Sequence, residues 1–111
     1  MKNMDIRQIT TEQVPEIKES AALFGIKDED KIEKFESLLF EGLKLYDSVS
    51  DAVQKMVKAA LTVEFGESIL LNSKAQNMIR AISQSIVSDN ELRRQSLIIM
   101  DRFAKADELN A

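Results

Sequence analysis

Cysteine, histidine and tryptophan are absent from this chain of 111 residues, and it holds only three Gly and one Pro. Without Cys there are no disulfides, no thiolate metal sites and no thiol nucleophile. Without His the commonest general base and the commonest transition-metal ligand are missing as well. No Ser-His or Cys-His pair can therefore be assembled, and no Gly-rich phosphate loop is present. Three Gly and one Pro are too few turn residues for a multi-stranded sheet. No apolar run approaches the roughly 20 residues that a membrane span needs. The opening Met1-Lys2-Asn3-Met4-Asp5 lacks the apolar stretch of a signal peptide, so the expected location is the cytoplasm, with no membrane partner.

What is present is the material of a globular helical protein. Hydrophobic residues make up 44% and charged residues 31%, a balance that supports a core and excludes a disordered chain. The length fits one domain. The first ten residues are mixed and polar and read as a flexible N-terminal segment, leaving 11–111 as a single helical domain. A first short helix starts at Pro15, carries Ile17, Ala21 and Phe24 on one face, and stops at Gly25. Asp28-Glu29-Asp30 then suits the positive start of the next helix.

From Ile32 the apolar register is regular: Ile32, Phe35, Leu39, Gly42, Tyr46, Val49, Val53, Met56, Ala60 and Val63 alternate steps of three and four. Leu38, Leu45, Ala52 and Ala59 widen the stripe, as a helix buried in a bundle requires. A straight helix over this span would be ~50 Å long against about 35 Å for the diameter of a compact domain, so it either breaks or projects and needs company. A break is expected near Ser48–Asp51, where Ser48 and Asp51 with Gln54 offer caps. The helix is expected to run through Gly66 to Leu71. Ser73 with Gln76 starts the next helix, and Ser88 with Glu91 forms the capping box of the last one, whose face is Leu92, Ile99, Phe103 and Ala106. The fold class is all-α, a compact bundle of four to five helices, with one long helix as the alternative if the register does not break.

Carboxylates are the chemistry that remains, with a hard cation such as Mg²⁺ as their natural ligand. Glu33 with Glu36, and Glu64 with Glu67, each place two carboxylates on one helical face. The run Val63-Glu64-Phe65-Gly66-Glu67-Ser68-Ile69-Leu70 resembles the second metal motif of the MazG-like all-α nucleotide pyrophosphohydrolases, a Glu-x-Gly-Asp followed by apolar residues. The resemblance implies a Mg²⁺ cage of Glu33, Glu36, Glu64 and Glu67 and hydrolysis of a nucleotide. Glu67 stands where that family has Asp, its basic downstream substrate segment is missing, and the gap between the two motifs is long. Solvated surface carboxylates account for the same four residues, and no cofactor is expected.

Charge is uneven along the chain. Residues 1–51 carry 7 basic and 12 acidic side chains, and residues 52–111 carry 8 and 7. Arg80, Arg93, Arg94 and Arg102 lie in the last third and form a candidate anion-binding group for a nucleic-acid accessory protein. Ser20–Ile26 is similar to the first helix and turn of a helix-turn-helix, but the reading helix would open on three carboxylates, which repel phosphates.

Apolar residues on polar faces point elsewhere. Phe40, Leu61 and Phe65 interrupt the outward side of the long register, and Leu97-Ile98-Ile99-Met100 leaves one turn with no polar side. Asn72 to Asn90 holds only Lys74, Arg80 and Asp89 as charges, and charge depletion marks the cores of interfaces. The expected function is a non-catalytic helical protein–protein interaction or assembly module. It would pair with a copy of itself, as a closed dimer, or with another protein, through Phe40, Leu61, Phe65, Leu97, Ile98 and Met100.

Overall fold

The computed structural model describes residues 20–105. The flexible segment 1–10, the helix start at Pro15 and the face position Ala106 lie outside that range. Within it, four α-helices pack as an all-α bundle: α1 (Glu29–Gly42), α2 (Val49–Phe65), α3 (Ser73–Ser88) and α4 (Asn90–Phe103), with a 3₁₀ turn over Glu67–Leu71. Among the described residues there is no strand, only an isolated parallel bridge between Lys44 and Lys105.

Each helix start is chemically marked. Gly25 takes the left-handed conformation (φ 74°) that ends the preceding turn. Asp28 caps α1 by accepting from the Lys31 amide, with Glu29 and Asp30 in the first turn. The long register breaks close to the expected caps. Gly42 ends α1, and Ser48 opens α2 by accepting from the Asp51 amide at 3.0 Å. The connection is pinned by one cation. Lys55 Nζ donates to the Gly42 carbonyl at 2.8 Å and to both Asp47 carboxylate oxygens at 3.0 and 2.9 Å. It thereby satisfies a carbonyl left orphaned at a helix end.

Three boundary expectations are corrected. The α2 helix stops at Phe65 instead of Leu71, because Gly66 adopts φ 93°, ψ 160°, a region essentially reserved for glycine. The α3 cap is Asn72, not Ser73. It accepts from the Lys74 amide at 2.7 Å, while Gln76 donates back to the Leu70 carbonyl. The α4 cap is Asp89, not Ser88, accepting from the Glu91 and Leu92 amides at 3.0 Å each. In all three places a side chain one residue from the expected one, or a backbone only Gly adopts, decides the end.

Helix α2 is the centre of the bundle. Ala52, Met56, Ala59, Ala60 and Val63 face Phe35 and Leu39 of α1 and Ile99 and Phe103 of α4. Val53, Val57 and Leu61, spaced by four, face Ile79 and Ile86 of α3. Two stripes on one helix explain why its apolar side is wider than a single seam, with Ser50, Asp51, Lys58 and Glu64 left on the exposed side. Ala52 and Ala59, in the first of these stripes, are covered by their own chain.

Candidate functional site

The six apolar positions expected at an interface part company in the structure. Leu61 is only 8% exposed and belongs to the α2–α3 core; it is covered by its own chain. Met100 is half-buried against the α1–α2–α4 core. Phe40, Phe65, Leu97 and Ile98 stay exposed.

Phe40 is the informative one. Its ring meets Phe103 edge-on with centroids 4.8 Å apart, yet 47% of the residue remains open to solvent. Beside it the α1–α2 connection meets the end of α4. The Leu45 amide donates to the Lys105 carbonyl at 3.0 Å, and the Lys105 amide donates to the Leu43 carbonyl at 3.3 Å. These bonds bring exposed Leu45 and Tyr46, the latter 72% exposed, to the end where α1 and α4 finish. A continuous helix would have turned Leu45 and Tyr46 inward. The break at Gly42 turns them out.

Two more exposed apolar residues lie at the other end of α2, a helix about 25 Å long at 1.5 Å per residue. They are Phe65, 64% exposed, and Leu71, 88% exposed, on either side of the 3₁₀ turn. Leu71 was hidden from sequence reasoning by the assumption that α2 continued through it.

Leu97 and Ile98 lie on the outer side of α4. A cleft of about 580 Å³ separates this helix from the turn at Ser20–Leu23, with Leu23 and Ile98 among the apolar lining and Arg94, Asp101 and Arg102 among the charges. Arg94 is already engaged, its Nη2 donating to Glu91 at 2.8 Å. Arg80 is on a different helix and donates to Asn77, and Arg93 lies in the first turn of α4. The four arginines thus occupy three places, with Arg94 and Arg102 on the one cleft.

The carboxylates are likewise dispersed. Glu64 pairs with Lys31 at 3.1 Å, while Glu67 is exposed in the 3₁₀ turn beyond Gly66. Glu33 is exposed and Glu36 half-buried on α1. Among the described residues no three acidic side chains come together in a way that holds a metal ion.

No family model, curated protein or solved structure matches this chain. Its surface chemistry is therefore the whole basis for a functional reading.

Glu36 adds an electrostatic detail to the same end of the molecule. Burial pushes its carboxyl above the ordinary range. The Arg102 charge opposes this, Glu33 adds to it, and a Ser20 hydrogen bond opposes it. Its Oε2 is buried and finds no hydrogen-bond partner among the described residues. Asp47 goes the other way. Burial raises it, but the Lys55 hydrogen bond, the Lys44 amide and the charges of both lysines outweigh that and hold it below the ordinary range. Among the described residues no helix is long and apolar enough to cross a membrane.

Proposed function

We propose that this chain is a non-catalytic helical assembly module that binds protein, a copy of itself first, through the apolar end formed by Phe40, Leu45 and Tyr46. One observation carries the reading: Phe40 keeps nearly half its surface in water although Phe103 already covers one edge of its ring. Aromatic side chains grouped at an exposed end are the residues that supply most binding energy when a partner covers them. Their grouping, rather than single scattering, separates them from the ordinary apolar surface of a soluble protein. Two-fold pairing is the commonest way for such a surface to be covered by its own kind.

Light scattering coupled to size exclusion tests this on the chain alone at high micromolar concentration. A mass above one chain is expected, and Phe40→Asp is expected to lower it while the helical circular dichroism is retained. A wild type that stays at the mass of one chain overturns the self-association.

A further inference from the structure

We propose that the groove between α2 and α3 binds a small phosphorylated, hydroxyl-rich molecule, a sugar phosphate in class. Its phosphate sits on Arg80 and its hydroxyls on the Ser and Gln side chains beside it. This site is independent of the assembly reading, since it uses a different surface and a different kind of ligand.

The groove has a volume of about 670 Å³, within the range of small-molecule sites. Gln54 lines it from α2, and Arg80, Ser83 and Gln84 line it from α3. Ser50 and Ser88 complete the polar lining, and Val87 is the one apolar residue. Among the described residues no carboxylate lines it.

Ser83 is the observation that points to a ligand. It is 4% exposed, and its Oγ is buried and finds no hydrogen-bond partner among the described residues. A buried hydroxyl is ordinarily paired. Ser96, buried on α4, meets that need by donating to the Leu92 carbonyl one turn back, at 2.9 Å. Ser83 makes no such bond. It lies against the groove, where rotation about χ1 turns the hydroxyl toward a bound oxygen.

Arg80 supplies the charge. Among the described residues the ion pairs join Lys31 to Glu64, Lys55 to Asp47 and Arg94 to Glu91. None of them includes Arg80. Its Nη1 donates to the Asn77 side-chain oxygen at 3.2 Å, a neutral partner, and α3 holds no acid. The charge is thus left uncompensated, and the guanidinium has further N–H donors with which to meet an oxyanion.

The rest of the groove selects the body of the ligand. Ser50 lies in the first turn of α2 and Ser88 ends α3. The positive start of one helix and the negative end of the other meet there and offset each other, so neither sign of charge is favoured. Hydroxyls, which donate and accept, suit Ser and Gln side chains. An apolar body would cover the Gln54 and Gln84 amides and leave them unpaired.

Nuclear magnetic resonance titration of the isotope-labelled full chain at fixed ionic strength tests this. The probes are ribose 5-phosphate, ribose and inorganic phosphate, and the sugar phosphate is expected to bind at least about ten-fold more tightly than either fragment. Its saturable shifts are expected at the amides of Ser50, Gln54, Arg80, Ser83 and Gln84. Arg80→Gln is expected to weaken the sugar phosphate at least about ten-fold, and Arg93→Gln to leave it unchanged. Ser83→Ala is expected to weaken it too, while the unfolding midpoint without ligand stays at or above that of the wild type, because the hydroxyl removed had no partner. The absence of any saturable shift at about 10 mM sugar phosphate overturns the site. Shifts confined to Arg93 and Arg94, or an affinity indifferent to Arg80→Gln, overturn it as well. Inorganic phosphate binding as tightly as the sugar phosphate overturns the hydroxyl-rich ligand. The mass of the chain, on which the assembly reading turns, is measured separately and decides that reading alone.

Discussion

Lys55 holds Asp47 at 2.9 Å and, with the same ammonium, the last carbonyl of α1. This contact closes the turn where the long apolar register breaks. The Asp47 side chain is nearly covered, while that of Lys55 is more open, so solvent screening tempers the pair.

Asp47→Asn is expected to cost roughly 1 kcal/mol at neutral pH, since it removes the charge that Lys55 was placed to meet. The sign of the pH dependence follows from the depressed carboxyl. Its stabilisation is present above the unfolded carboxylate value of about 3.9 and is lost as pH falls through the lower folded value. Urea unfolding from neutral pH to pH 2 should show the wild type losing stability along that limb and the variant losing less.

Glu36→Gln is expected to act in the opposite sense. The folded carboxyl is raised, so stability is fully present below the unfolded value of about 4.3 and is lost as pH rises through the folded value. The variant should therefore unfold at a higher temperature than the wild type at neutral pH, and the two midpoints should converge in acid. Equal midpoints at neutral pH would show that Arg102 and Ser20 fully offset the burial.

Gly66→Ala is expected to destabilise the fold by about 1–3 kcal/mol, because φ 93°, ψ 160° is strained for any residue with a Cβ. Nothing stands within 4 Å of the added methyl, so the cost is conformational and not steric. Gly42→Ala, with ordinary helical backbone and equally open space, serves as the control, and chemical denaturation of the two distinguishes them.

Glu64→Gln combined with Glu67→Gln is expected to leave stability within about 1 kcal/mol, the range of exposed pairs such as Lys31–Glu64. Thermal unfolding with and without Mg²⁺ checks both this and the metal resemblance. A Mg²⁺-dependent rise in the wild type that the double variant loses would return Glu64 and Glu67 to the list of ligands.

The helical architecture was legible because two signals agreed, apolar spacing and the carboxylates at helix starts. The length argument left the long register to break or to project, and the caps near Ser48 favoured the break that the structure shows. What sequence reasoning missed came from the central helix. Leu61 looked like an outward residue because one buried stripe was assumed, whereas α2 has a second stripe of Val53, Val57 and Leu61 against α3. Leu45 and Tyr46 looked inward for the complementary reason: their faces were counted along a helix that ends at Gly42. Periodicity reports which residues share a face only while the helix lasts, and it does not report how many neighbours that helix has.

The Lys44–Lys105 bridge joins residues that lie far apart in the chain. Closing so long a loop is entropically costly, a cost that the docking of α4 against the core offsets. The Leu45 amide, bonded to the Lys105 carbonyl, cannot be protected by any local turn. Its hydrogen exchange therefore reports any release of the α4 end, an opening that would also take Phe103 off the ring of Phe40.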